Sequence, residues 1–393
     1  MSFSSYEGVK EIYGSMGSGY DKASFYNLFV VMGRRYANSN ILKPTSLGGI
    51  VSRAQEFARQ CGDSADRSVD IYVKLHSFAC DSITHHLFHP YGSDCLRNHT
   101  DQEMMCQVTA DSSIQRRLLM HYAPALHRHL SKVLDLVQKP RSVPLASNFV
   151  TQRSRSVDPE AFTLLSRLRE KLDDSLDQTD ITAECLDHMV AGIETTGDAL
   201  CFLMWELSQP QSIHSQQELR KEMLDNPDVS ADKLPFLDAI VQEGLRCFTP
   251  IPMSLPRVVP ESGKVIDGIV VPGGSVVSSQ AYSVHRHNSD VFPDPDRFDP
   301  HRWMSPVGDA ERKRHMFAFS HGGRGCVGKH LALAEMKLLL REVYSRFETV
   351  PDLSMTAESM KPHDQTIATR PYGQKCLLRF VPISEKYGMT QSA

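Results

Sequence analysis

The sequence predicts a mainly α-helical protein with a minor β part. Three observations carry that prediction. Apolar residues recur at helical spacing from about Asp180 to Ser208, among them Ile181, Cys185, Met189 and Ile193. A second strongly periodic stretch runs from about Val327 to Arg346, with Leu331, Ala334, Leu338 and Leu339 on one face. Strand patterns come late: β-branched runs broken by Asp267-Gly268 and Gly273-Gly274 over Val265–Val277, and an end strand over Lys375–Val381. Many helices followed by a few hairpins give an α-rich fold, here expected as one domain over residues 1–393.

The remaining elements follow in order. Short apolar periodicity predicts a helix over Tyr6–Tyr13, then a Gly/Ser loop from Gly14 to Gly19 and an apolar Phe25–Met32. Helices are expected over Ile50–Gln60, Val69–Leu87 and, as one amphipathic element, 115–137. Pro140-Arg141-Ser142-Val143-Pro144 breaks the chain before a polar helix at 158–176. Asp180 is the candidate cap of the long helix, and Pro210 closes it. Its centre, Ala191-Gly192-Ile193-Glu194-Thr195-Thr196-Gly197-Asp198, breaks the helical rule with two glycines and two threonines. Function is expected where an otherwise buried element breaks a local rule. Threonines that simply bond back to helix carbonyls are the competing explanation. A helix over 233–247 has Pro235 in its first turn and carries Glu243 and Arg246 at i, i+3, by itself the pattern of an exposed pair. Phe292–Pro306 is Pro-rich and poor in strand signal.

Composition excludes several classes. At 41% hydrophobic and 23% charged residues, the 393-residue chain is ordinary for a globular protein. A net charge of −4, from 43 basic and 47 acidic residues, gives no basis for a nucleic-acid partner. Nine scattered cysteines without a CxxC pair indicate neither a disulfide framework nor a zinc site, and suit a reducing compartment. His85-His86 with His89, and His127 with His129, lack a third matched ligand and are expected on helix surfaces or interfaces. An uninterrupted apolar run of about 18 residues is missing, and Met1–Tyr6 lacks signal-peptide character. The chain as given is therefore expected to be soluble, at the cytoplasmic face.

The most informative stretch is Phe319-Ser320-His321-Gly322-Gly323-Arg324-Gly325-Cys326-Val327-Gly328. Its four glycines permit left-handed backbone and close approach to a flat ligand. Cys326 stands where a helix begins, which favours its thiolate. Gly323–Gly328 formally fits GxGxxG, but no alternating strand–helix series surrounds it. Gly323–Lys329 fits most of a phosphate-binding loop, but His330 replaces the magnesium-binding hydroxyl. A thiolate holding haem iron is the third reading, and an inert buried thiol the bland one.

Phe319, Gly322, Arg324, Cys326 and Gly328 fit FxxGxRxCxG, and the stretch resembles the signature of the cytochrome P-450 family. Further landmarks appear in that family's order. Ala191–Thr196 resembles its oxygen-activation segment, and Glu243-Gly244-Leu245-Arg246 its ExxR. Leu255-Pro256-Arg257 resembles the stretch that sends an arginine to a haem propionate, and Pro295-Asp296-Arg297-Phe298 the one that completes an ion-pair cluster. His285-Arg286 through Arg302-Trp303 resembles fungal members, and the likeness to a fungal microsomal member runs from about 1 to 383. The resemblance implies a cytochrome P-450-like fold. The N-terminal anchor, the first strands and one haem-contacting helix, expected after Asn38-Ser39-Asn40, are not found in the text. A full-length parent would be anchored in the endoplasmic reticulum.

The resemblance also implies a mechanism. Cys326 is the metal ligand of haem b, Phe319 packs near the sulfur, and Arg257 and Arg324 bind propionates. Glu194 and Thr195 form the acid–alcohol pair that delivers protons for oxygen activation. Glu243, Arg246 and Arg297 hold the loop's underside. The reaction inserts one oxygen atom from O2 into a small lipophilic molecule, a fungal secondary metabolite, with electrons from NADPH through a reductase. Glu311-Arg312-Lys313-Arg314-His315 is a candidate docking patch for that reductase, or an ordinary solvated loop. A truncated, impaired or haem-free remnant and a haem-thiolate isomerase or dehydratase are the alternatives.

Overall fold

The computed structural model describes residues 1–14, 19–29, 44–63, 67–109, 114–137, 143–170, 176–365 and 368–383. Most of the Gly14–Gly19 loop, Val30–Met32, residues 38–43 and most of the Pro140–Pro144 breaker lie outside these residues, while Pro44–Gly49 opens a helix that continues to Gly62.

The helices in chain order are α1 (Tyr6–Tyr13), α2 (Pro44–Gly62), α3 (Ile71–Phe88), α4 (His99–Thr109), α5 (Ile114–Tyr122), α6 (Pro124–Val137) and α7 (Pro144–Arg153). Then come α8 (Leu164–Arg169), α9 (Gln178–Leu207), α10 (Ile213–Asp225), α11 (Pro235–Cys247), α12 (Ala281–His287), α13 (Asp309–His315) and α14 (Lys329–Tyr344). The strands are β1 (Asp21–Lys22), β2 (Val69–Asp70), β3 (Arg257–Val258), β4 (Lys264–Ile266), β5 (Ile269–Val271), β6 (Val276–Val277), β7 (Phe347–Pro351), β8 (Pro362–Gln365), β9 (Ala368–Pro371) and β10 (Leu377–Pro382). They pair antiparallel in four small sheets: β1-β3-β6, β2-β10-β7, the β4-β5 hairpin and β8-β9.

The 30-residue α9 is the axis of the fold. It opens with a capping box: the Asp177 carboxylate accepts from the Asp180 N–H, and the Asp180 carboxylate accepts from the Asp177 N–H. The cap is therefore Asp177, and Asp180 is its partner at the third helical position rather than the cap expected from sequence. Ile181, Met189, Ile193, Leu200 and Leu203 are fully buried, and each such side chain contributes about 1.5–3 kcal/mol. α3 lies along α9, and the approach is close. A Cβ on Gly192 would stand 2.8 Å from Ile83 Cγ1, and one on Gly197 would stand 2.7 Å from His76 Cδ2. Both glycines of the rule-breaking centre are thus explained by helix packing.

The main core joins α2, α3, α9, α11 and α14. A smaller cluster packs α1 against the late strands through Val9, Ile12, Tyr13, Val259, Ile266 and Phe317.

Two further local expectations change. The stretch 115–137 is two helices, because Pro124 at the first helical position starts a new one. The polar helix expected at 158–176 shrinks to Leu164–Arg169, capped by the Thr163 hydroxyl, while 171–175 lie outside the described residues. Of the two places expected for them, His85 and His86 take the interface, each at 6% exposure, with the His85 ring against Phe162. Among the described residues, no helix is long and apolar enough to cross a membrane.

Candidate active site

The site begins with the loop before α14. Gly322 takes φ +67°, where a side chain is strained, and a Cβ there would stand 2.1 Å from the Tyr13 carbonyl at the end of α1. The loop then turns tightly: the Gly325 N–H donates to the Gly322 carbonyl (3.0 Å) and the Cys326 N–H to the Phe319 carbonyl (2.8 Å). This places the Cys326 thiol at the start of α14. Desolvation by the surrounding protein pushes the thiol up, and the N–H groups of Gly328 and Lys329 and the Lys329 ammonium oppose it. Those N–H groups are the helix-start donors that the sequence placed there.

A buried ion-pair cluster stands on α11. Glu243 and Arg246 are both 0% exposed, so the pair is buried rather than exposed. Arg246 Nε donates to Glu243 Oε2 (2.8 Å) and Nη2 to Oε1 (2.9 Å), a bidentate fork. The other cation on Glu243 is Arg302, whose Nε donates to Oε1 at 2.9 Å. Trp303 Nε1 donates to Oε2 (2.8 Å), and the Asp299 N–H to Oε1 (2.9 Å). Arg297, the expected third member, contributes only its carbonyl, which accepts from Arg246 Nη2 at 3.1 Å. The reason is local: the 3₁₀ turn Pro300–Trp303 packs on α11 and presents Arg302 and Trp303 together. Burial alone would raise the Glu243 carboxyl, but Arg246 and Arg302 outweigh it and hold it below the usual range.

A residue that sequence reasoning missed connects this frame to the loop. His285, fully buried on α12, has Nδ1 3.1 Å from the Arg246 carbonyl, and its Nε2 accepts from the Phe317 N–H at 2.8 Å. Burial lowers its pKa to about 3, so it stays neutral, with Nδ1 as donor and Nε2 as acceptor. A lone histidine in an α12-type segment gives no sequence signal for such a role.

Above the loop lies an apolar cavity of about 300 Å³. Cys326, Phe319, Val327, Ala332 and Met336 line one side, and Thr195, Thr196 and Ala199 of α9 line another. Thr195 Oγ1 donates back to the Ala191 carbonyl at 2.7 Å, as the bland reading anticipated, yet the residue still faces the cavity. Glu194 is not among the lining residues. It lies on the stripe of α9 that also bears Asp198 and Cys201, at i, i+4 and i+7. Another acid behind the cavity was missed. Glu335 on α14 is 2% exposed, and burial raises it to about 8 against the opposing effects of Thr196 and Arg53.

Arg257 is 4% exposed and engaged with protein. Its Nη1 donates to Tyr26 Oη (2.8 Å) and to the Pro256 carbonyl (3.1 Å), and its guanidinium stacks 5.2 Å from the Tyr13 ring. The Arg324 side chain lies outside the described residues.

The residues around the cavity suit a haem in most respects. A thiol on one wall, apolar side chains around it and glycines that let backbone come close fit a flat apolar macrocycle with a soft iron ligand. The anionic edge is met only in part, because Arg257 is turned to Tyr26.

Comparison with known proteins agrees with this geometry. Residues 33–378 match the family model described as Cytochrome P450. A cytochrome P450 monooxygenase from Aspergillus niger, orf2, is 30% identical over 262 residues, covering 64% of this chain and 51% of that protein. Another from the same species, azaI, is 29% identical over 283 residues, covering 64% and 58%. A taurochenodeoxycholic 6 alpha-hydroxylase from Sus scrofa is 30% identical over 237 residues, covering 58% and 45%. The chain thus spans about half the length of the curated relatives it matches. With the family model matched over most of its length, the cysteine loop, the buried Glu243–Arg246 pair and the threonine-bearing central helix place this chain in the cytochrome P450 family.

Proposed function

We propose that the chain, within its whole protein, is a haem-thiolate monooxygenase that inserts one oxygen atom from O2 into a small lipophilic molecule. The observation that carries this reading is Cys326 and Thr195 lining one apolar cavity from two different elements. Bound haem supplies dioxygen activation, and a thiolate ligand favours cleavage of the O–O bond.

The chain's own residues do the rest. Cys326 holds the iron, and the N–H groups of Gly328 and Lys329 stabilise the sulfur's charge. Phe319 covers the sulfur side and excludes water. Arg324 and Arg257 hold the propionates, Arg257 after exchanging its bond to Tyr26. Thr195 holds a proton at Oγ1 on the cavity face of α9, and Glu194 resupplies it from the adjacent face. Glu243, Arg246 and Arg302 fix the loop from beneath. The apolar lining selects a lipophilic substrate, and a fungal secondary metabolite is the class we propose. Electrons come from NADPH through a reductase, and residues 1–393 act as one domain.

One experiment decides the core of this. The haem-reconstituted chain, reduced under carbon monoxide, should show the red-shifted Soret band of a thiolate-ligated haem, and Cys326→Ser should abolish it. No haem uptake by the unmodified chain would sink the reading for this chain. The displacement of Glu194 from the cavity lining favours one other reading, an isomerase or dehydratase that needs no proton delivery. Product formed under ¹⁸O2 without label would select it.

A further inference from the structure

The cysteine loop contains a bend that its own side chains do not support. Ser320 takes φ +57°, the left-handed region that a residue with a Cβ enters only at a cost. Among the described non-glycine residues with positive φ, three are aspartates, whose short acids suit that region, and Ser320 is the one that lines the cavity. Its Oγ is buried with no hydrogen-bond partner, so the hydroxyl does not hold the turn. A strained residue persists only where its surroundings fix it.

The surroundings here are a short run of hydrogen bonds. The Ser320 N–H donates to the Phe317 carbonyl at 3.0 Å, and the Cys326 N–H donates to the Phe319 carbonyl at 2.8 Å. The Phe317 N–H donates to His285 Nε2 at 2.8 Å, and His285 Nδ1 lies 3.1 Å from the Arg246 carbonyl. Arg246 also donates from Nη1 to the His285 carbonyl at 3.4 Å, while its fork holds Glu243. His285 is 0% exposed and Phe317 1%.

We propose that His285 is a positioning residue for Cys326: its ring pins Phe317 to the Arg246 backbone and so holds the strained bend at Ser320 that sets where the thiol stands. This rests on the reading of Cys326 as the iron's ligand.

The chemistry of the ring suits the task. A carbonyl can only accept and an N–H can only donate, so Nδ1 carries the proton and Nε2 is bare. One rigid plane thus offers a donor and an acceptor at a fixed separation, between a guanidinium-bearing helix and the loop. Without the pin, the Phe317 N–H is a buried donor with nothing to meet, and Ser320 is free to leave the left-handed region.

Two substitutions separate positioning from mere filling of space. An asparagine amide puts its nitrogen near Nδ1, and a glutamine amide puts its oxygen near Nε2. His285→Asn therefore keeps the bond to Arg246 and loses Phe317, and His285→Gln does the reverse. Each gives up one bond, so the two should lose similar global stability in denaturant. In the haem-free full chain, hydrogen exchange at the Phe317 amide should quicken roughly tenfold in His285→Asn, the worth of one hydrogen bond, and stay near the unmodified rate in His285→Gln. In haem-loaded protein, His285→Asn should lose part of the thiolate carbon monoxide band, and His285→Gln should keep it. Adding Ser320→Gly, for which the left-handed bend costs nothing, should restore the band to His285→Asn.

Equal effects of the two variants on exchange and band overturn the proposal, and so does a band that Ser320→Gly fails to restore. If neither variant folds, ¹⁵N spectra of the unmodified chain decide: a proton on His285 Nδ1 supports the pin, and one on Nε2 overturns it. An unmodified chain without a thiolate band sinks the haem-thiolate reading instead, and the exchange contrast still decides the pin.

Discussion

Two of the buried polar clusters, one on α11 and one between α3 and α9, are built to different rules. Around Glu243 both carboxylate oxygens are saturated: Arg246, Arg302, Trp303 and a backbone N–H all converge on it. Around Asp198, by contrast, the facing group is one histidine, His76 Nε2, at 3.4 Å. The first arrangement fixes one geometry, since every departure strands a charge. The second rests on one long contact, which holds its geometry less firmly. A buried charge cluster thus fixes a frame more firmly the more of its valences are filled.

The largest effect expected from breaking that contrast is on the scaffold side. Glu243→Ala strands Arg246 and Arg302 and should cost about 3–5 kcal/mol in denaturant unfolding, with loss of haem uptake. A cost near that of a surface pair, about 0–1 kcal/mol, would show that the cluster is not a frame. Next in size, Arg302→Ala should cost about 1.5–3 kcal/mol through its lost charge-assisted bonds. Arg297→Ala keeps the carbonyl that Arg246 uses and should stay within about 0.5 kcal/mol. Equal effects would return Arg297 to the cluster.

The last comparison is in pH dependence, where the two sides should differ in sign. Burial lowers His285 from the usual 6.5 to about 3 in the fold. The unfolded chain binds that proton first, so stability is full above 6.5 and falls as pH drops toward 3. His285→Gln should flatten that slope. Burial raises the Asp198 carboxyl above the usual carboxylate range, so its contribution is present in acid and fades as pH climbs through the folded value. Asp198→Asn should therefore gain on the unmodified chain toward neutral pH. Unfolding midpoints measured between about pH 4 and 7 check both.

Much of this was readable in advance, for physical reasons. Periodicity alone located α1, α9, α11 and α14, because each buries one continuous apolar stripe. It missed the break between α5 and α6, where the pattern continues across Pro124. Cys326 was legible because its glycines, arginine and helix start are adjacent in the chain. Arg302 was not told from Arg297, since both lie in one Pro-rich segment and only the turn at Pro300–Trp303 decides which reaches Glu243. Gly192 and Gly197 looked functional, and they answer to Ile83 and His76 on a helix far away in sequence. The His76–Asp198 pair and His285 have partners that only folding brings near, so no local pattern announces them.

One further consequence follows from Gly322. Its α-hydrogen faces the Tyr13 carbonyl, while the Tyr13 hydroxyl donates to the Leu255 carbonyl and its ring lies 5.1 Å from Phe317. The last turn of α1 is therefore a gauge block for the thiol: the space it leaves sets how high the loop can ride. Mutational drift in the first fourteen residues should accordingly register as changes at Cys326, although the two lie at opposite ends of the text.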